Sequence, residues 1–306
     1  MQALDSETFK TRDATSYDSL TEQFDHFTER LSSPLADRLI ELAEIKSSDH
    51  VLDIGTGTGI VALRAAKSGG TVTGIDLSEQ MLETSRLKAG RLGLESQIEF
   101  RQMDAERLEF PDASFNVVVS LFALLHFPDP LTALKEIYRV MKPGGRFVVA
   151  VGSGPPLVSV SGLSHRLKVF PDIMRRFQGK QLVAPGFLDS LVESHFPESM
   201  EPEESHLASQ SHNRTQSIAS LVRSAGFTVL QTSWQGHQAE FGTPEEFWDI
   251  QRTFSSISRK RLNDAAPEKL ESLRQEFFRE CRTVQFRGGN LVYPFGAYYV
   301  TASHPE

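Results

Sequence analysis

Apolar positions along the chain follow two different spacings. Tyr17, Leu20, Phe24, Phe27 and Leu31 recur at helical intervals and predict one buried helical stripe. Ser33-Pro34 then reads as an N-cap with proline in the first turn, opening a second helix to about Ile45. From residue 50 short apolar runs alternate with helical stretches. Val51–Ile54 predicts a buried strand, Gly59–Lys67 a helix and Thr71–Ile75 a second strand. Ser78 caps a helix over Glu79–Gly90, and Gln97–Gln102 predicts a third strand. Phe115–Ser120 is a fourth, with the unbroken Val117-Val118-Val119 expected of a strand covered on both faces. Asp129-Pro130 caps a helix ending near Met141, Lys142-Pro143-Gly144-Gly145 breaks it, and Arg146–Val151 is a fifth strand. Such alternation implies βαβ units and a parallel sheet, an α/β fold.

The pattern lapses after the Gly/Ser/Pro linker at Gly152–Pro156. Residues 157–212 hold amphipathic fragments, His165, His195, His206, His212 and an acidic run, Glu198–Glu204. A connection this long reads as a lid or binding segment. Regularity returns with a helix at Ser217–Ser224 and a strand at Phe227–Trp234. Thr243-Pro244-Glu245-Glu246 is a capping box opening a helix to about Ser256. Pro267–Val284 predicts another helix and Gly296–Ala302 a last strand, while residues 1–16 read as a loose tail.

The 306 residues suit one large domain with insertions or two small ones. With 39% hydrophobic and 24% charged residues, a packed core is expected and global disorder is not. A net charge of −8 leaves no basic footprint for a nucleic acid. The single cysteine, Cys281, excludes an internal disulfide and a cysteine cluster for zinc, and no metal site is expected. Met1–Ser19 lacks the apolar core of a secretory signal, and no apolar run approaches the roughly 18 residues that span a bilayer. These features predict a cytoplasmic protein without stable membrane insertion.

The chemistry begins at the turn Val51–Gly59, VLDIGTGTG. Gly55, Gly57 and Gly59 follow a buried strand and open a helix, so the backbone can turn tightly and approach a ligand. Asp53 stands two residues before the first glycine, placed to accept from an ammonium group or from turn amides. Read from Gly55, the spacing departs from the dinucleotide G-x-G-x-x-G; read from Gly57, Gly57, Gly59 and Ala62 fit its looser form. Asp76 ends the second strand, about 20 residues beyond the turn, where a carboxylate accepts ribose hydroxyls. Asp104-Ala105 follow the third strand, and Asp104 is placed to receive an adenine amino group.

VLDIGTGTG, GIDLS, MDAERLEFPDASFNVVVS, LHFPDPLTALKEIYRVMKPGGRFVV and SLVRSAGF resemble, in order, the motifs of class I S-adenosylmethionine (SAM)-dependent methyltransferases. They look most like the small-molecule branch of ubiquinone and menaquinone biosynthesis. The resemblance is strong over residues 45–151, weaker over 215–235 and 290–302, and does not reach 152–212 or 243–288. It implies a Rossmann-like, seven-stranded, mostly parallel sheet with the last strand antiparallel beside the fifth, helices on both faces and helical lid insertions. Pro294 is then expected just outside the last strand. The implied organisation is a single domain, 1–306, with an N-terminal helical cap (1–45), a lid or substrate insertion (152–212) and a helical insertion (243–288).

By the same resemblance Gly55, Thr56 and Gly57 would pass under the methionyl part of SAM, and Asp76 would hold the ribose, with Leu77 and Met81 against the adenine. Asp104 and Ala105 would meet the adenine edge. Ser120, Leu121 and Phe122 would border the transferred methyl, and Tyr17 and Phe24 would close over the cofactor. Many relatives carry paired histidines after the fourth strand, whereas Leu125 precedes His126 here. His126 and Tyr17 are the candidate catalytic groups, with a structural role as the plainer reading for His126.

The implied reaction is methyl transfer from SAM, leaving S-adenosylhomocysteine (SAH), to a small, partly apolar O-, C- or N-nucleophile. The implied assembly is a monomer or homodimer. The rival readings are a SAM-binding protein that does not methylate and an NAD(P)-dependent oxidoreductase.

Overall fold

The alternating segment builds a sheet from β1 (His50–Ile54), β2 (Thr71–Asp76), β3 (Ile98–Gln102), β4 (Phe115–Leu121) and β5 (Met141–Gly152). The computed structural model describes residues 6–154, 179–196, 217–263 and 265–306. Most of the expected lid, with His165, His206 and His212, lies outside the described residues. Strands β1 to β5 pair in parallel, in the order β3-β2-β1-β4-β5. The Lys142–Gly145 turn survives as a bulge, because Phe115 and Val117 of β4 face Met141 and Arg146.

Period-two alternation divides these strands between two cores. Val51, Val117, Val119, Val148 and Ala150 face helices α2 (Thr21–Ala43), α3 (Ile60–Lys67) and α4 (Glu79–Leu92). Leu52, Ile54, Val118, Phe147 and Val149 face α5 (Pro130–Val140) and further helix residues Ile218, Ala219 and Val222. Asp129 and Ser78 cap α5 and α4 as their sequences predict, accepting from Thr132 N and Met81 N.

Among the described residues the sheet has eight strands rather than seven. The additional strand is β6 (Gln181–Val183), from within the expected lid, which pairs in parallel with the start of β8 (Asn290–Ser303). A three-residue strand with no alternation gives no periodic signal. It is followed by α6 (Gly186–His195), then by α7 (Ile218–Ser224) and β7 (Thr228–Phe241). Strand β8 lies antiparallel to both β5 and β7, so the last strand is reversed, and β6 runs with it.

Pro294 lies inside β8, opposite Gln238, and not beyond its end. The Val292 and Gly296 carbonyls accept from Ala184 N and Ser153 N, so this parity faces the β6/β5 side. Pro294 falls between the end of the β6 pairing and the start of the β5 pairing, where no strand asks for an N–H.

The 243–288 segment forms α8 (Pro244–Phe254), α9 (Ser256–Asn263) and α10 (Pro267–Phe286). Phe247, Trp248, Ile250, Leu273, Phe277 and Cys281 make a third core with Leu188 and Val192 of α6. Helix α2 joins the cores: Phe27 and Leu31 enter the third, while Leu35, Ala36 and Leu39 enter the first. It therefore runs unbroken through Pro34, where a new helix start is expected. The Ser33 hydroxyl donates back to Glu29 O instead of capping. Burial of leucines on both sides of Pro34 offsets the roughly 3 kcal/mol that an internal proline costs. The supposed tail also folds: Ser6–Thr15 is a helix, α1, with Phe9 buried.

Candidate active site

The glycine turn sits at the carboxyl end of β1 with φ of +68°, +53° and +85° at Gly55, Gly57 and Gly59. Its fit against the next loop is close: a Cβ on Gly55 would stand 2.2 Å from the Cβ of Ala123. Gly57 is the point of closest order. Its N–H donates to Asp76 Oδ2 at 2.8 Å, and its carbonyl accepts from Ser85 Oγ at 2.7 Å. A Cβ on Gly57 would lie 3.7 Å from Phe24 of α2, which sets that ring against the turn.

Asp76 also accepts from Ser78 N at 3.0 Å. Burial pushes its carboxyl above the usual range, against the pull of these amides. Leu77 holds Gln102 through its carbonyl, and Met81 is buried in the first turn of α4. The helix cap itself is tied to the N-terminal segment, since Ser78 Oγ donates to Asp18 at 3.0 Å.

Asp53 is buried beneath the turn and accepts from Thr56 Oγ1 at 2.7 Å. Its Oδ1 has no hydrogen-bond partner. Burial pushes this carboxyl up to about 7, against the Thr56 bond. A buried carboxylate oxygen left open beside a glycine turn fits a cationic amino group, which is the donor that the methionyl end of SAM carries.

Asp104 and Ala105 stand at the carboxyl end of β3, and Ala105 is buried. Asp104 is already engaged: Lys10 of α1 reaches it at 2.7 Å and Glu106 at 2.6 Å. Lys10 is raised in pKa, since these two carboxylates outweigh its burial. The sequence reading placed no residue there, because α1 lacked an apolar stripe.

After β4 the three expected residues part company. Ser120 is fully buried and its hydroxyl donates to Ile54 O at 3.0 Å, tying β4 to β1. Leu121 packs into the first core. Phe122 has φ +65° and turns its ring against Phe295, 5.4 Å between centroids. Phe295 in turn meets Phe254 of α8 and Tyr293, and Phe254 meets Phe24, all within 5.6 to 5.8 Å. This aromatic group joins the cap, the helical insertion and β8 beside the post-β4 loop.

His126 ends a short 3₁₀ turn, with Nδ1 3.3 Å from Asp13 Oδ2. Its ring lies 6.5 Å from that of Tyr17. Tyr17 is wedged between Phe24 and Arg259, whose Cζ lies 3.7 Å from the ring centroid. Burial pushes the Tyr17 phenol up to about 12, so it stays protonated at neutral pH. Asp13 and Arg259 were not foreseen. Lys10, Asp13 and Tyr17 do share an i, i+3, i+7 spacing, the one sequence signal for this face. Arg259 carried no signal.

Among the described residues no group of three or more His, Cys, Asp or Glu is arranged to hold a metal, and no helix is long and apolar enough to cross a membrane.

A family described as "Methyltransferase domain" matches residues 52–149, the β1–β5 half of the sheet. The chain is 34% identical to the 27-O-demethylrifamycin SV methyltransferase of Amycolatopsis mediterranei over 184 residues, 60% of this chain and 65% of that one. It is 34% identical to the demethylmenaquinone methyltransferase of Thermus thermophilus over 200 residues, 63% of this chain and 80% of that one. With a ubiquinone/menaquinone biosynthesis C-methyltransferase of Rhodopseudomonas palustris, the match of 38% identity spans 53% of the relative's length. Among solved structures, the YcgJ protein of Bacillus subtilis superposes with a TM-score of 0.52 at 22% identity, covering 89% of this chain and 98% of that one. The fold is thus the methyltransferase-type α/β sheet, and the chain belongs to the class I SAM-dependent methyltransferase family.

Proposed function

We propose that the protein transfers a methyl group from SAM to a small, partly apolar acceptor. The observation that carries this reading is the open Oδ1 of buried Asp53 under a turn whose Gly57 amide is held by Asp76. An amino group at Asp53 and a ribose at Asp76 are what a nucleoside carrying an amino acid on its 5′ sulfur presents.

When bound, SAM supplies a methyl on a positively charged sulfur, already a good leaving-group arrangement. The chain's own work is holding and dehydrating the reactants. Asp53, Gly55, Thr56 and Gly57 would hold the methionyl end. Asp76, Leu77 and Met81 would hold the ribose and one adenine face, and Asp104 and Ala105 the adenine edge once Lys10 yields. Of Ser120, Leu121 and Phe122, Phe122 is the one whose ring belongs to the aromatic group; the other two are engaged by the sheet. Phe122, Phe254 and Phe295 would exclude water from a flat, apolar acceptor. His126 would accept the proton from a hydroxyl acceptor, while Tyr17, held protonated, would only donate.

The relatives named for quinone precursors and a rifamycin support an aromatic acceptor class. The net charge of −8 speaks against a nucleic acid. The same reading takes 1–306 as one domain with a cap at 1–45 and insertions at 152–212 and 243–288, cytoplasmic, as a monomer or homodimer. Continuity of the first and third cores through α2 supports that division.

Calorimetry with SAH and with NADH tests the cofactor. Binding of SAH with no response to NADH is expected, and the reverse would overturn the reading. Methyl-labelled SAM with a reduced naphthoquinol probe and a metabolite extract tests the transfer. SAH binding with no labelled product from either would replace it with a non-methylating role.

A further inference from the structure

We propose that Arg259 is a positioning residue that holds the His126 imidazole in the tautomer a proton acceptor needs. The inference rests on the methyl-transfer reading above. Three elements distant in sequence meet here: α1 brings Asp13, the post-β4 loop brings His126, and α9 of the helical insertion brings Arg259. Asp13 stands between the other two. Its Oδ2 is 3.3 Å from His126 Nδ1, and its Oδ1 is 3.8 Å from Arg259 Nη2.

Arg259 is fully buried. Its Nε donates to Ser16 Oγ at 2.9 Å and its Nη1 to Thr253 O at 3.0 Å, which fixes the plane of the group over Tyr17. Nη2 makes no hydrogen bond of its own. Burying a guanidinium is unfavourable unless charge and hydrogen bonds offset it, and a packing role alone is met more easily by Leu or Met. The place of the cation, behind Asp13, accounts for the choice.

A carboxylate at Nδ1 selects the Nδ1–H tautomer and leaves the Nε2 lone pair free to accept a proton. Acting alone, a carboxylate also favours the doubly protonated ring, which has no lone pair. A cation on the far oxygen opposes that second effect, and by drawing Oδ1 to itself it keeps Oδ2 turned toward Nδ1, so that the first depends on it. Asp76 and Tyr17 are the other ionisable groups facing His126. Neither lies within hydrogen-bond reach of its ring among the described contacts, so the orientation falls to Asp13 and, through it, to Arg259. The helical insertion thereby becomes part of the active site and not merely its cover.

The test needs neither cofactor nor acceptor. In the full chain with ¹⁵N-labelled histidine, long-range ¹⁵N–¹H correlation at alkaline pH reads the tautomer of His126, assigned with His126→Gln. The wild type is expected as Nδ1–H. Arg259→Met, with its helical circular dichroism intact, is expected to lose that preference to Nε2–H. A folded Arg259→Met with an unchanged tautomer overturns the proposal. If Arg259→Met does not fold, Arg259→Gln, which keeps a polar side chain beside Ser16 and Thr253 and removes the cation, is read instead, and a retained Nδ1–H preference there overturns it equally. SAH calorimetry on the wild type reports separately: no SAH binding sinks the methyltransferase reading without touching the tautomer result.

Discussion

The Gly57 amide donates to the Asp76 carboxylate at 2.8 Å, which ties the turn after β1 to the end of β2. The carboxylate is therefore pre-aimed at the point where a ribose would lie. Replacing Asp76 by Asn keeps the size and removes the charged acceptor. SAH affinity is expected to fall about 10- to 100-fold, the range for losing a charge-assisted hydrogen bond. Calorimetry showing equal affinity would remove Asp76 from the cofactor site.

Asp53 makes stability fall as pH rises. Its folded pKa of about 7 lies above the 3.8 of an ordinary aspartate, so the folded state holds the proton more tightly. The contribution is full below pH 4 and is lost as pH rises through about 7. At about 1.4 kcal/mol per unit this amounts to a few kcal/mol. Asp53→Asn, which mimics the protonated carboxyl, is expected to melt higher than wild type at pH 8 and close to it at pH 4. It is also expected to weaken SAH binding. Parallel melting curves across this window would assign Asp53 an ordinary pKa.

Gly55 and Gly93 share a left-handed backbone, φ +68° and +67°, but not their surroundings. A Cβ on Gly93 meets nothing within 4 Å, while one on Gly55 meets Ala123 at 2.2 Å. Gly93→Ala is expected to cost only the conformational term, about 1–2 kcal/mol, with SAH binding retained. Gly55→Ala must also displace the loop that carries Phe122 and His126, so it is expected to lower stability further and abolish SAH binding. Equal effects in thermal denaturation would mean that the turn does not pack on that loop.

Lys10 occupies the carboxylate that an adenine amino group would use. Lys10→Met is expected to tighten SAH binding a few-fold and to raise hydrogen exchange in α1, whose tie to Asp104 and Glu106 is cut. Weaker SAH binding in this variant would instead make Lys10 part of the closed cofactor site.

The strands that form the floor of the site were legible because a strand covered on both faces has no polar alternative. Val117–Val119 and Val51–Ile54 carry that signal locally, as do the caps at Ser78 and Asp129. Pro34 and Pro294 misled in the same direction, each lying inside an element that it was expected to bound, and for one reason. Whether a missing N–H matters depends on what stands opposite it, and for Pro34 and Pro294 that is set by distant strands and helices.

By itself the sequence determined the parallel sheet, the glycine turn and the positions of Asp53, Asp76 and Asp104, because these follow from local periodicity and from spacing within single βα units. It did not determine which of their oxygens are free. Tertiary structure decided that Asp53 keeps one open, that Lys10 covers Asp104, that Ser120 is spent on Ile54, and that His126 and Arg259 meet at Asp13. Hydrogen bonds and charge pairs are satisfied by whatever lies within about 3 Å, and at the ends of a sheet those neighbours come from remote parts of the chain.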